Sequence, residues 1–301
     1  MYDVIVVGGG PAGITAAIYC ARKRLKTILL TENLGGQVAF SSEVCNYPGF
    51  CDISGIELVN RFEEHLGKNE LEVRTGKDAL VVDVERKGSV FEVKTEKKTF
   101  QGKTVIIASG ARSRKLGVPG EEQFRGKGLT YCATCDAPLF SGKTVAVVGG
   151  GNSAMDAALQ LIRIAKKSYM IDIAPELKAD PLIKDKILGS GKVEVFNEAA
   201  VLEVFGNKFV KGIKIDQQGI EKTLAVEGVF VEIGYMPNSE FLRVEKNERG
   251  EIKIDKCCQT SIPGLFAAGD VTDVPEKQII VAAGEGAKAA LSAFVYLSRM
   301  K

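Results

Sequence analysis

Cys132 and Cys135, in Tyr131-Cys-Ala-Thr-Cys-Asp136, form the only C-x-x-C spacing in the chain. Two thiols so placed can close into a disulfide that opens on taking two electrons, with a thiolate as the attacking form. The same spacing also supplies half of a zinc site, which needs a second C-x-x-C or a histidine pair. The chain has one histidine, His65, and no second pair, so no metal is expected and His65 reads as a surface or packing residue. The other five cysteines read as inert free thiols. Cys20 falls within a helix, Cys45 and Cys51 flank the Asn46-Tyr-Pro-Gly49 turn, and Cys257 and Cys258 are adjacent.

The cysteine pair lies between two glycine-rich signatures. In the first, the run Val4-Ile-Val-Val7 leads into G-x-G-x-x-G at Gly8, Gly10 and Gly13, with Pro11 and Ala12 inside it. A buried parallel strand followed by a helix fits that order. Gly8 permits a tight turn, Gly10 lets a pyrophosphate approach, Gly13 lets helix and strand pack, and the helix start offers N–H groups to phosphate. The next strand-like run ends at Glu32, where this fold places an acid on a ribose hydroxyl. In the second signature, Thr144-Val-Ala-Val-Val148 leads into Gly149, Gly150, Gly151, Asn152, Ser153 and Ala154, with a helix expected to about Lys166. The strand after it, about 168–171, ends at Asp172. An acid there suits the two hydroxyls of an unphosphorylated ribose and repels a 2′-phosphate. The stretch from Asp172 to Asp180 has no arginine and only Lys178, which favours NADH over NADPH.

Around these signatures, residues from about Leu71 to Val105 read as a small β-meander that returns through Thr104-Val-Ile-Ile-Ala108-Ser-Gly110. A charged, flexible linker is expected at 112–115. Gly228-Val-Phe-Val-Glu-Ile-Gly234 reads as a strand and turn, Tyr235-Met-Pro-Asn238 as a return linker, and a helix rich in Ala and Gly follows from about Lys277. The fold expected is α/β, with two Rossmann-like, three-layer nucleotide-binding domains. An FAD-binding domain at 1–114 and 241–301 is interrupted by a pyridine-nucleotide domain at 115–240 that carries the cysteine pair.

Composition fits. The 301 residues are 45% hydrophobic, enough for two cores. The balance of 40 basic and 38 acidic residues gives no field to favour nucleic acid or an anionic membrane. Basic pairs such as Lys97-Lys98 and Lys166-Lys167 read as solvated surface. The chain begins almost at once with a strand, and no apolar run of about 18 residues is expected, which predicts a cytoplasmic protein without a membrane partner.

Taken together, these residues resemble the low-molecular-weight thioredoxin reductases, and the second half is similar to the flavoprotein subunit of alkyl hydroperoxide reductase. Gly8 to Gly13, Gly35-Gly36-Gln37, Asn46-Tyr-Pro-Gly49, Ala108-Ser-Gly110, the cysteine motif, Gly149 to Ala154 and Gly269-Asp270 carry the resemblance. Ala174 to Asp180 and Lys277-Gln278-Ile279-Ile280 point to the peroxide-reductase branch. Two departures stand out. The extra N-terminal thioredoxin-like domain of that subunit is not seen, so a separate carrier protein is expected, and the arginine-containing NADPH motif is missing.

The resemblance implies that electrons pass from NADH or NADPH through FAD and a Cys132–Cys135 disulfide to a thioredoxin- or glutaredoxin-like protein, in a route that can feed a peroxiredoxin. Cys135 would be nearer the flavin and Cys132 the interchange thiol. Asp136 is the candidate acid/base, with a helix cap as its alternative role. The FAD residues implied are Gly8, Gly10, Pro11, Ala12, Gly13, Glu32, Gly35, Gly36, Gln37, Asn46, Ala108, Gly110, Gly269 and Asp270, with the backbone of Gln278 and Ile279 facing the reduced ring. Those for the pyridine nucleotide are Gly149, Gly150, Gly151, Asn152, Ser153, Asp172, Lys178 and Gly234. A homodimer is implied, as is rotation of the inserted domain about hinges near Arg114 and Pro237. Rival readings are a reductase fed by ferredoxin or a reduced deazaflavin, an NADH oxidase that forms hydrogen peroxide as a side activity, and a flavin-binding redox sensor.

Overall fold

Alternate residues of the first strand, β1 (Tyr2–Gly9), are buried against opposite faces of one sheet. Val4 and Val6 pack toward helices, whereas Ile5 and Val7 pack toward the other side, as the two-residue period of a strand requires. This computed structural model describes residues 1–41, 44–178 and 181–300. They fall into two compact units. Unit 1 comprises Met1–Ser41, Asn46–Arg112 and the chain from Met236 onward; unit 2 comprises Ser113–Tyr235 with residues 44–45.

Unit 1 continues with α1 (Pro11–Arg22), β2 (Thr27–Leu34), α2 (Gly55–Gly67), β3 (Glu72–Arg74), β4 (Val81–Lys87), β5 (Val90–Thr95), β6 (Thr99–Ile107) and β7 (Ala111–Ser113). The sheet order is β3-β2-β1-β6-β5-β4. Strand β1 runs parallel to β2 and β6, with Val4 opposite Thr27 and Thr104. The meander expected from Leu71 onward is real for β4, β5 and β6, which pair antiparallel. It is not a separate element, because β6 also serves the parallel core of the sheet.

Unit 2 holds α3 (Glu121–Phe124), β8 (Leu129–Thr130), α4 (Ala133–Asp136), β9 (Thr144–Val148), α5 (Asn152–Ile164), β10 (Lys167–Ile171), α6 (Pro181–Leu188), β11 (Val193–Phe196), β12 (Ala199–Gly206), β13 (Val210–Gln217), β14 (Ile220–Ala225) and β15 (Gly228–Val231), and β16 (Tyr235–Pro237) starts there. Its parallel sheet runs β11-β10-β9-β15-β8. Val145, Val147 and Phe230 bury one face against Ala154, Ala158 and Leu161 of α5. Ala146, Val148 and Val229 bury the other against Val204, Ile213 and Ile215 of the antiparallel sheet β12-β13-β14. Helix, sheet and second sheet make three layers.

The stretch expected as a flexible linker at 112–115 is partly a strand, since β7 pairs with β16. Within unit 1, Arg112 donates to Asn238 Oδ1 and forms an ion pair with Glu240, both at 2.6 Å. Arg114 lies just beyond β7 and donates its N–H to Gly234 O (2.9 Å), whereas Pro237 ends β16. Unit 1 closes with β17 (Leu265–Ala267), parallel to β6, and α7 (Ile279–Arg299). By length and composition α7 is long and apolar enough to cross a membrane, although Glu285 and Lys288 interrupt it, so it is not an unbroken apolar run. Its small face, with Ala282, Ala289 and Ala293, is nonetheless buried in the same core as Ala16 and Ala17 of α1.

That close helix packing makes one position sensitive. A Cβ at Gly286 would lie 2.0 Å from Ala12 O, whereas one at Gly284 would meet nothing within 4 Å. Gly286→Ala is expected to destabilise unit 1 by about 1–3 kcal/mol in urea unfolding. Gly284→Ala, which replaces an exposed helical glycine, is expected to be neutral or to stabilise by up to about 1 kcal/mol.

Candidate active site

In unit 1 the first glycine signature forms a strand–turn–helix. Gly8 has φ +109°, and a Cβ there would lie 2.2 Å from Ala108 O. At Gly13 a Cβ would come within 1.8 Å of Gly8 O, so α1 starts against the end of β1 only because that position lacks a side chain. A Cβ at Gly10 would face open space. Gly10 caps α1 without a side-chain hydrogen bond, Pro11 opens the helix, and its first turn has no acid. The result is a helix start with unfilled N–H groups and room beside it, the arrangement that receives phosphate.

Other residues marked by the sequence gather at this end of the sheet. Gly35 donates its N–H to Gly9 O (2.8 Å), a Cβ on Gly36 would be 3.3 Å from Gly10 Cα, and one on Gly269 would be 3.0 Å from the Ala12 Cβ. Gln37 donates to Ala111 O, and Gly110 O accepts from Asn238 N (2.9 Å). Asn46 Nδ2 donates to Gln278 Oε1 (3.1 Å), joining two predicted positions far apart in sequence. Burial pushes the Asp270 carboxyl up, Lys277 opposes that shift, and Glu285 adds to it. Glu32 is exposed and precedes the end of β2 by two residues.

One detail differs from expectation. The helix begins at Ile279 with Gln278 as its cap, and the Gln278 N–H is already given to Glu276 O (3.1 Å). Ile279, as the first helical residue, has no acceptor within the helix for its N–H.

Unit 2 repeats the turn. Gly149 has φ +130°, and a Cβ there would lie 2.3 Å from Glu232 O and 3.4 Å from the Ala154 Cβ. Alanine therefore suffices at the third position, as the sequence suggested. A Cβ at Gly151 meets open space, and α5 starts on Gly151 with no side-chain cap and no acid in its first turn, where Asn152 and Ser153 are exposed. Asp172 follows β10 with its carboxylate over Gly150, where a Cβ would lie 1.9 Å from Oδ2. Lys178 donates its N–H to Gly150 O (2.9 Å), so loop, acid and lysine are brought together. Gly234 turns the chain after β15 and is tied to Arg114 rather than to this loop.

The cysteines sit on α4 in unit 2. Cys132 and Cys135 form a disulfide with Cα atoms 5.3 Å apart. Cys132 caps the helix, and its Sγ accepts from Cys135 N (3.2 Å). The Cys132 N–H donates to Thr130 Oγ1 (3.2 Å), and that hydroxyl donates in turn to Asp136 Oδ2. Asp136 Oδ1 is buried with no partner, and burial pushes the carboxyl up against the pull of Thr130. Asp136 makes no side-chain capping bond to the turn after it, which removes the helix-cap alternative. A partly unsatisfied buried carboxyl held toward its neutral form can hold a proton beside a dithiol.

Two more carboxyls at this helix were not marked by the sequence. Glu121 accepts from Tyr131 Oη (2.7 Å) and from the N–H groups of Leu116 (2.7 Å) and Gly117 (2.8 Å), which fixes the approach to Cys132. Glu232 accepts the N–H of Ala133, the first residue of α4, through Oε1 (3.1 Å). A lone acid in the apolar run Val229-Phe-Val-Glu-Ile233 was the only sequence signal for the second of these. Of the remaining cysteines, Cys20 and Cys258 are buried, with thiols pushed up to about 12 by burial, and Cys45, Cys51 and Cys257 are exposed. Among the described residues no cluster of three or more His, Cys, Asp or Glu could hold a metal.

The chain belongs to the pyridine nucleotide-disulphide oxidoreductase family, which it matches over residues 2–286. It is 43% identical over 304 residues to an alkyl hydroperoxide reductase subunit of Pseudomonas putida, covering 99% of this chain and 58% of that protein. It is 44% identical over 302 residues to a Bacillus subtilis (strain 168) protein named NADH dehydrogenase, covering 99% of this chain and 59% of that one. The chain thus spans somewhat less than three fifths of these curated relatives. Among solved structures, thioredoxin reductase from Streptococcus pyogenes is similar with a TM-score of 0.93 at 37% identity, covering 100% of this chain and 99% of that one. The chain has the Rossmann-like, two-domain fold of this family, and the family implies FAD and a pyridine nucleotide. The two open, uncapped glycine turns fit such groups.

The buried carboxyls carry a pH signature. Burial, with a smaller push from Asp156, raises Glu232 to about 7, and its bond from Ala133 only partly opposes this. A folded value above the unfolded one means that the native state holds the proton longer, so this contribution is complete below about pH 4.5 and lost as pH rises through about 7. Glu232 alone accounts for about 3 kcal/mol between those limits. Urea midpoints measured from pH 4.5 to 8 are expected to fall with pH, and Glu232→Gln is expected to flatten that slope.

Proposed function

We propose that this protein is an FAD-dependent thioredoxin-disulfide reductase, moving electrons from NADH to the Cys132–Cys135 disulfide and on to a thioredoxin- or glutaredoxin-like protein. The observation that carries the reading is the disulfide at the start of α4, with Asp136, whose carboxyl burial pushes up, linked through Thr130 to the backbone of Cys132. When bound, FAD supplies the two-electron chemistry that links a reduced nicotinamide to a disulfide. In this reading Gly8, Gly10 and Gly13 admit the FAD pyrophosphate to the start of α1, Asp270 and Gly269 bind the same cofactor, and Ile279 offers its N–H to charge on the ring. Gly149, Gly151 and the start of α5 take the pyridine nucleotide.

Cys132 acts as the interchange thiol and Cys135 as its partner. Asp136 takes and returns the proton that thiolate attack requires. The Pseudomonas putida relative, named as part of an alkyl hydroperoxide reductase, supports an acceptor that passes electrons on toward peroxide reduction. A homodimer in the cytoplasm is part of the same proposal.

NADH is assigned as donor because Asp172 stands over Gly150 where a 2′-phosphate would be repelled, with Lys178 as the basic residue tied to the loop. Steady-state reduction of thioredoxin is expected to show kcat/KM for NADH above that for NADPH by about tenfold or more, a difference of about 1.4 kcal/mol. Asp172→Ala is expected to narrow the ratio, and Cys135→Ser to reduce turnover to background. Turnover with neither nucleotide, but with reduced ferredoxin or a reduced deazaflavin, would replace the donor. Turnover retained in Cys135→Ser would overturn the reading.

A further inference from the structure

Glu232 immediately follows β15, is only 8% exposed and serves two structures at once. Its main chain belongs to the second glycine turn, donating N–H to Val148 O (2.8 Å) and presenting the carbonyl that excludes a Cβ from Gly149. Its side chain belongs to the cysteine helix, where Oε1 accepts from Ala133 N, the peptide that follows Cys132. An amide oxygen could accept that N–H without burying an ionisable group, so the bond alone does not call for a carboxyl. The charged groups around it are few. Asp156 of α5 acts on Glu232 and favours its neutral form, and Asp136 is the other carboxyl of the cysteine helix. Glu121, bonded to Tyr131 Oη at the approach to Cys132, and the two sulfurs lie there as well.

Two electrons from the family's flavin chemistry break the sulfur–sulfur bond. If one proton is taken up, the products are one thiol and one thiolate; a second proton gives the dithiol. A thiolate on this helix and an ionised Glu232, itself buried against the Ala133 N–H, would be two like charges, and forming one opposes forming the other. We propose that Glu232 is a positioning residue for the Cys132–Cys135 pair, whose neutral carboxyl holds the start of the helix for a thiolate and whose ionisation opposes that thiolate. The inference rests on the reading of this pair as the redox centre.

The test uses the whole flavin-containing protein, reduced with an immobilised phosphine. The rate of iodoacetamide alkylation at Cys132 is read by peptide mass spectrometry from pH 5.5 to 9. The wild-type rate is expected to rise in two steps, because ionisation of Glu232 delays the thiolate. Glu232→Gln keeps an acceptor for Ala133 and is expected to give a single step. Its midpoint should lie about one pH unit lower, an approximately tenfold faster reaction on the steep part of the curve. Asp156→Asn is expected to leave two steps, with the Glu232 step moved to lower pH.

Melting curves confirm that each variant is folded. Superimposable profiles for wild type and Glu232→Gln would overturn the proposal. So would a uniform rate increase at every pH, the sign of a merely loosened helix. Turnover retained in Cys135→Ser would remove the redox reading itself while leaving the alkylation profiles as measured, so the two failures are distinguishable.

Discussion

Both units depend on a glycine turn set too close to the end of a neighbouring strand for any Cβ to fit. In unit 1 the limiting contact is Gly8 against Ala108 O, and in unit 2 it is Gly149 against Glu232 O; the helix position behind the turn must then be Gly13 in unit 1, whereas Ala154 suffices in unit 2. Each contact brings an uncapped helix start to the carboxyl ends of parallel strands, where the strand ends of the sheet leave room for a dinucleotide. The neighbouring residues follow from that approach. Gly36, Ala108 and Gly269 lie at the first turn, and Asp172 and Lys178 lie at the second.

The cysteine helix is a short element held by polar groups rather than by an apolar stripe. Four residues cannot stabilise a helix by themselves. Thr130, Asp136, Glu121 and Glu232 fix its approach and its first turn. Three of these are carboxyls, Glu121 and Glu232 buried and Asp136 half-buried, a costly choice in a core unless each is bonded or held neutral. Protons are what disulfide chemistry must move, and Asp136 and Glu232, both pushed up by burial, stand at this helix.

What was legible in the sequence was local. The two glycine turns, the C-x-x-C pair and Asp172 announce themselves through spacing and a β-branched run, because turn geometry and strand period act over a few residues. The parallel sheet of unit 2 and the helix after its glycine turn were legible for the same reason, whereas the antiparallel sheet β12-β13-β14 that forms the third layer was not read from the sequence. What was missed depends on distant partners. Glu232 reaches Ala133 across 99 positions, and although Asn46 and Gln278 were both marked, the bond that joins them across 232 positions was not. The linker at 112–115 looked loose from its charges, yet Arg112 is bonded to Asn238 and Glu240, residues that only the fold brings near. The apolar character of α7 was masked by its alanines and glycines, whose small size serves close packing against α1.

The central claim is that Cys132 and Cys135 receive the electrons. The direct measurement is to add one equivalent of NADH anaerobically to the flavin-loaded protein, trap thiols with an isotopically distinct alkylating agent, and read each cysteine by mass spectrometry. Cys132 and Cys135 are expected to change together from joined to labelled, while the other five cysteines label as they do without NADH. A flavin fully reduced while the Cys132–Cys135 bond stays closed would contradict it.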